Sequence, residues 1–141
     1  MNLLDVSVVL AAHRNDHPDH PVARSYLDEL LAQRQQFGVP WLVWWSFLRL
    51  GSHPRIFAAP APVEDGLEFI AAIRAQPGHV PVDAGPRHEE HLREACRRGE
   101  ATADLLPNAV LVALAIEHGA GVVSFDRDFA RFDQLEWFRP G

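Results

Sequence analysis

The sequence predicts an α/β fold in which a small, mainly parallel sheet is flanked by helices. Short apolar segments with the length of strands alternate with longer helical segments along the whole chain. Strands separated in this way are joined by right-handed crossovers and run parallel. With 141 residues and 48% apolar composition, the chain is long enough to bury a sizeable core. Because no repeat or linker divides it, we predict one domain, residues 1–141.

The first half of the chain supplies one strand and three helices. The run LLDVSVVLAA is strand-like and then helical, and apolar residues at helical spacing continue after a polar, proline-containing turn. Pro40 suits the first position of the next helix, WLVWWSFLRLGSH, which is apolar almost all round. The predicted elements are a strand at 2–6, a helix to about residue 13, a turn at 13–21, helices at 22–35 and from 40, and a loop at 53–62.

The second half alternates amphipathic helices with short apolar strands. Proline and glycine mark most of the boundaries, and Gly119 ends the most apolar helix. The predicted elements are helices at 63–75, 86–98 and 108–118, strands at 79–82 and 121–125, and an edge strand at 135–138.

Composition excludes several classes of protein. A net charge of −6 argues against a protein that coats nucleic acid by bulk charge, although a nuclease remains compatible with it. No apolar run is long enough to span a bilayer, and we predict no membrane association. The one cysteine, Cys96, cannot form an internal disulfide, which suits the reducing cytoplasm.

Acidic side chains stand at the ends of two predicted strands. Asp5 lies within the first apolar run, and Asp126 and Asp128 follow the strand at 121–125. An unpaired carboxylate is costly to bury. Since chemistry in parallel α/β sheets gathers at the carboxyl ends of strands, these acids and the start of the 108–118 helix are expected to meet there. Oxygen ligands of this kind suit Mg²⁺ or Mn²⁺, which can activate water for attack on a phosphodiester.

Four segments of the sequence resemble the PIN-domain family, and more narrowly the VapC-type toxin ribonucleases of toxin–antitoxin pairs. The segments are LLDVSVVLAAHRNDHPDH, WSFLRLGSHPRIF, PNAVLVALAIEHG and VVSFDRDFARF. The resemblance implies a Rossmann-like three-layer PIN fold and metal-dependent endoribonuclease activity on structured RNA, either tRNA or rRNA. It also implies a cognate VapB-type antitoxin as partner and a homodimer.

By this resemblance, Asp5, Asn108, Asp126 and Asp128 are the catalytic residues. Asp5, Asn108 and Asp126 are the metal ligands, for Mg²⁺ or Mn²⁺. Two departures from the family pattern concern activity: Asn108 occupies the place of an aspartate, and Ser46 occupies that of a glutamate. We therefore expect weakened or absent cleavage, with Asp104 as the acid available to compensate.

Arg49, His53 and Arg55 lie in the second of these segments and are the predicted RNA-binding residues. Arginine suits phosphate but is also common on any protein surface, so ion pairing at the surface is the alternative. The aromatic cluster at residues 41–47 is too large for one side of a small core. We expect part of it to be core and the rest to be a partner surface.

Other classes fit the sequence less well. The segment HRNDHPDH offers histidines and aspartates for zinc, but a proline-broken turn is a poor scaffold for such a site. No G-x-S-x-G elbow, P-loop or G-x-G-x-x-G is present. The alternative retained here is a catalytically silent PIN module, which binds antitoxin or RNA without cleaving it. Affinity for Mg²⁺ or Mn²⁺ distinguishes this module from the enzyme, because the silent module should bind little of either cation.

Overall fold

The computed structural model describes residues 1–141 and contains a four-stranded parallel sheet. The strands are β1 (Asn2–Leu4), β2 (Phe37–Gly38), β3 (Gly121–Val123) and β4 (Trp137–Phe138), in the order β2-β1-β3-β4. Leu4 pairs with Val123 and Val123 with Phe138, so the carboxyl ends of three strands lie level. The predicted α/β class with a parallel sheet is confirmed.

Six α-helices surround this sheet. They are α1 (Val6–His13), α2 (His20–Ala32), α3 (Trp41–Gly51), α4 (Val63–Arg74), α5 (His88–Gly99) and α6 (Leu106–Glu117). Helix α6 contacts β1 and β3 and is covered by α5, whereas α1 contacts α2 and α3, and α3 contacts α4. No helix combines the length and the apolar character needed to cross a membrane.

One buried core joins the sheet to the helices. Leu3, Leu4, Val122 and Val123 are at most 1% exposed. Helix α6 is buried over most of its length, which explains why its sequence is apolar on nearly every side. Its first turn reaches the carboxyl edge of the sheet, because α6 runs antiparallel to the strand β3 that follows it directly.

Each predicted strand is shorter in the structure, and one strand was missed. Strand β2 was not predicted, because two residues show no periodicity in the sequence. The strand predicted at 79–82 is reduced to one bridge between His79 and Phe37. Strand β1 ends at Leu4, which places Asp5 in the junction before α1. Helix α6 begins two residues before the predicted start, because Pro107 occupies its first turn.

Candidate active site

Asp5 is fixed at the point where β1 gives way to α1. Its backbone N–H donates to the carbonyl of Val123 at 3.0 Å, which extends the sheet pairing by one residue. Its carboxylate Oδ2 accepts hydrogen bonds from Ser124 Oγ at 2.6 Å and from Ser7 Oγ at 3.0 Å. Asp5 is thus held by the end of β3 and by the first turn of α1, with its side chain half-buried.

Two serines, Ser7 and Ser124, connect the two acidic segments. Their hydroxyl oxygens are 3.1 Å apart, although the residues lie 117 positions apart in the chain. Ser124 Oγ accepts from the backbone N–H of Asp126 at 2.9 Å, and Ser7 Oγ accepts from that of Phe125 at 3.0 Å. Ser124 is completely buried. These hydroxyls therefore set the position of Asp5 relative to Asp126.

The sequence analysis did not single out either serine. The available signal was their symmetric placement, since Ser7 follows Asp5 by two residues and Ser124 precedes Asp126 by two. A small polar residue beside a predicted metal-binding acid is a candidate to orient that acid.

Asp126 caps the short 3₁₀ helix at Arg127–Arg131. Its Oδ1 accepts from the backbone N–H of Asp128 at 2.9 Å, and its Oδ2 accepts from Asn108 Nδ2 at 3.1 Å. The Asn108 amide belongs to the first turn of α6, so it approaches Asp126 from the far side of the pocket. Position 108 therefore lies beside the acids, as predicted, and donates a hydrogen bond to one of them.

These groups open into one pocket of about 150 Å³ at the carboxyl edge of the sheet. Asp5, Asn108 and Asp126 all line it. Ser46 of α3 lines it too, at the place where the family resemblance expects a glutamate. The other lining residues are Val6, Ser7, Leu42, Val43, Pro107 and Leu111. The pocket thus contains two carboxylates and no arginine.

Burial raises the pKa of the Asp5 carboxyl, and this effect outweighs the hydrogen bonds from Ser124 and Ser7, which lower it. The protein therefore stabilises the charged form of Asp5 less well than water does. A cation placed in the pocket would supply that stabilisation directly.

Asp128 and Asp104 lie away from the pocket. Asp128 is exposed, and its contact with the site is made through its backbone N–H. Asp104 is exposed in the 3₁₀ turn Ala103–Leu105 that precedes α6. Neither residue lines the pocket. Both assignments remain predictions.

The three predicted RNA-binding residues follow Ser46 along α3 and the loop after it. Arg49 is exposed and lies three positions beyond Ser46, on the same side of the helix. His53 Nδ1 accepts from the backbone N–H of Arg55 at 3.1 Å, which stabilises a local turn. Their role in RNA binding stays a prediction.

The aromatic residues of α3 divide between core and surface, as the sequence analysis expected. Trp44 and Phe47 are at most 2% exposed, whereas Trp41 and Trp45 are 40% and 65% exposed. The Arg74 guanidinium lies 4.8 Å from the Trp41 ring centroid. Trp45 therefore projects furthest into solvent.

The pocket fits one hard divalent cation better than a larger metal cluster. Mg²⁺ is commonly held by one or two carboxylates and keeps several waters, for which the pocket has space. Asp5 and Asp126 would supply the carboxylates to such a cation, and the Asn108 carbonyl would supply a neutral oxygen. No group of three or more His, Cys, Asp or Glu side chains gathers at any one point, which also argues against the zinc alternative.

Comparison with known proteins agrees with this geometry. The PIN-domain family model matches residues 3–135, and the chain belongs to the PIN-domain family. It is 52% identical over 140 residues to Ribonuclease VapC25 of Mycobacterium tuberculosis, covering 99% of each chain. It is 51% identical to Ribonuclease VapC31 of the same organism, with the same coverage. The predicted VapC-type resemblance is confirmed.

Solved structures of lower identity share the fold. A chain of VapBC2 from Rickettsia felis, determined bound to a promoter DNA fragment, matches with a TM-score of 0.71 at 15% identity, covering 99% of this chain and 98% of that one. Mycobacterium tuberculosis VapC20, a sarcin-ricin-loop-cleaving toxin, matches with a TM-score of 0.67 at 19% identity, covering 92% and 93%. The predicted three-layer PIN fold is confirmed.

Proposed function

We propose that this protein is a divalent-metal-dependent endoribonuclease and the toxin of a type II toxin–antitoxin pair, with activity weakened by Asn108. The observation that carries the proposal is the meeting of Asp5 and Asp126 in one pocket. Full-length similarity to proteins named as VapC ribonucleases supports it.

In this proposal Asp5, Asp126 and the Asn108 carbonyl hold Mg²⁺ or Mn²⁺, and Asp128 orients water at the rim. A bound cation would polarise the scissile phosphate and make water more acidic. Ser7 and Ser124 keep the Asp5 carboxylate turned toward the pocket through hydrogen bonds to its Oδ2. Water attacks phosphorus as the bond from phosphorus to the leaving oxygen breaks.

Asn108 weakens such a site in two ways. It contributes no negative charge, and its Nδ2 hydrogen bond occupies Asp126 Oδ2, an oxygen that a cation would need. Ser46 likewise offers no charge at the opposite wall of the pocket. A structured RNA, tRNA or rRNA, is the proposed substrate. VapC20, which shares the fold, is described as cleaving the sarcin-ricin loop.

The test is cleavage of total bacterial RNA in Mn²⁺ by the protein and by Asn108→Asp, each compared with an EDTA control. We expect faster Mn²⁺-dependent cleavage by Asn108→Asp, and loss of that cleavage when Asp5→Ala is added. If Asp5→Ala leaves the cleavage untouched, the site assignment is wrong. If neither protein cuts any RNA, the proposal of ribonuclease activity fails.

The hydrogen bond from Asn108 to Asp126 favours a second candidate, a silent PIN module that binds antitoxin or RNA without cleaving it. The discriminating measurement is Mn²⁺ titration followed by calorimetry. A silent module would bind little Mn²⁺ at millimolar concentration, whereas the proposed enzyme would bind it and lose that binding in Asp5→Ala.

A VapB-type antitoxin is the proposed partner, together with a second copy of this chain. The exposed Trp41 and Trp45 on α3 support a protein-binding surface, because tryptophan is enriched at interfaces. Co-expression with the neighbouring open reading frame, followed by light scattering, would test both partners. Trp45→Ala should weaken a complex that uses this surface.

A further inference from the structure

Strand β4 and the residue that follows it, Arg139, are hydrogen-bonded to the residues that precede Asp126. The backbone N–H of Ser124 donates to the carbonyl of Phe138 at 3.0 Å. Trp137 Nε1 donates to the carbonyl of Ser124 at 3.0 Å. Arg139 Nη1 donates to the carbonyl of Phe125 at 2.6 Å. Since that carbonyl belongs to the peptide bond that leads into Asp126, Arg139 is fixed at the acidic edge.

The guanidinium of Arg139 carries a charge that no carboxylate neutralises. All 13 basic residues are arginines, and the arginines that pair with an acid within 4.0 Å are Arg14, Arg24, Arg87, Arg93, Arg97 and Arg98. Arg139 instead lies with Cζ 5.3 Å from the ring centroid of Phe125. Its other N–H groups make no hydrogen bond within the protein. An oriented, unpaired guanidinium suits a phosphate, which it can bind with two parallel hydrogen bonds.

We infer that Arg139 binds a backbone phosphate of the RNA next to the one that is cleaved. The inference rests on the proposed ribonuclease function. The pocket itself contains Asp5 and Asp126 and no arginine, so it repels the RNA backbone on either side of a bound cation. The positive charge of Arg139, held at the carbonyl of Phe125 next to Asp126, offsets that repulsion. It also fixes where the RNA strand crosses the edge of the sheet. Arg139 is therefore a substrate-positioning residue, and Phe125 holds its guanidinium in place.

The test is the affinity for fluorescein-labelled, unfractionated bacterial tRNA, measured by anisotropy in millimolar Mg²⁺ over a salt series from about 50 to 200 mM. Arg139→Gln is compared with Arg87→Gln, which removes the same charge at the opposite edge of the sheet. At that edge, the backbone N–H of Arg87 donates a hydrogen bond to the carboxylate of Glu117, the last residue of α6. Thermal unfolding of each variant checks that the fold is intact.

We expect Arg139→Gln to raise Kd about tenfold, as for the loss of a charge-assisted hydrogen bond, and to reduce the slope of log K against log salt by about one. Arg87→Gln should stay within about twofold of the parent, because it makes no phosphate contact. Arg139→Lys keeps the charge but not the paired donors, so it should keep the salt slope and bind more weakly.

Equal affinity and equal salt slope for Arg139→Gln and Arg87→Gln would overturn the inference. If the two variants behave equally but the parent or Asn108→Asp still cleaves RNA, the proposed function stands and only the inference about Arg139 fails. If the parent does not bind RNA, and neither the parent nor Asn108→Asp cleaves it, both the inference and the proposed function are overturned.

Discussion

Replacing Asn108 with aspartate tests both the geometry and the electrostatics of the pocket. In the structure, Asn108 Nδ2 donates to Asp126 Oδ2 at 3.1 Å. An aspartate would remove this hydrogen bond to a charged group, a loss of about 1.5–3 kcal/mol. It would also place two carboxylates side by side, and two charges about 4 Å apart repel by about 4 kcal/mol at an effective dielectric of 20.

Protonation of one of the two carboxylates would remove part of that repulsion in the variant. A carboxyl beside another carboxylate has a raised pKa, so the folded variant binds more protons than the unfolded chain. Its stability then falls as the pH rises from the unfolded pKa toward the folded pKa. In EDTA we expect Asn108→Asp to be roughly 2–4 kcal/mol less stable than the parent at about pH 8, and closer to it at about pH 5.

Divalent cation should narrow this difference in stability. A third carboxylate strengthens metal binding, and a ligand at one hundred times its Kd stabilises the folded state by about 2.7 kcal/mol. The assay is thermal unfolding at both pH values, in EDTA and in Mn²⁺. A chain of this size should shift by about 3 °C for each kcal/mol.

The matched control is Asn15→Asp, which adds the same charge in an exposed turn. It should show neither the pH-dependent loss nor the larger Mn²⁺ response. If Asn108→Asp is as stable as the parent in EDTA at both pH values, or if Mn²⁺ stabilises the two proteins equally, our account of the pocket is refuted.

Two further predictions concern the groups around Asp126 and Asp5, and a third concerns the packing of α5. Ser124→Ala removes a buried hydroxyl that donates to Asp5 and accepts from the Asp126 N–H, and should cost about 1–3 kcal/mol by urea unfolding. Because burial raises the pKa of Asp5, Mn²⁺ affinity measured by calorimetry should begin to fall at a higher pH than for an ordinary aspartate as the solution is acidified. Gly99→Ala would place a methyl group against the Phe132 ring and should cost about 1–3 kcal/mol by urea unfolding.

Each of these predictions has an outcome that contradicts it. Ser25→Ala, an exposed serine of α2, is the control for Ser124→Ala, and equal stability of the two variants would mean that the buried hydroxyl contributes nothing. A Mn²⁺ affinity that is constant down to about pH 4 would contradict a raised pKa for Asp5. For Gly99, unchanged stability would mean that the Phe132 ring moves freely.

Much of the site followed from the sequence. Asp5 and Asp126 border apolar segments, and carboxylates in such places need a partner. Alternating strands and helices predicted a parallel sheet, and a parallel sheet brings its carboxyl ends to one edge. The placement of Asn108 beside these acids was predicted from the family resemblance together with the start of its helix.

Other features depended on contacts between residues that are far apart in the chain. Strand β2 has two residues, and only its pairing with β1 and its bridge to His79 identify it as a strand. The hydrogen bond from Ser124 to Asp5 joins residues 119 positions apart. The position of Arg139 depends on β4 pairing with β3, which brings the last residues of the chain back to the acidic edge.

The sequence by itself determined the class of fold, because periodicity is a local property that each segment carries with it, and it determined the family and the two acids through the resemblance of four segments. The tertiary structure decided which polar groups touch those acids: Ser7, Ser124 and the amide of Asn108. Hydrogen bonds act over about 3 Å, so partners distant in sequence are fixed only when packing closes the chain around them.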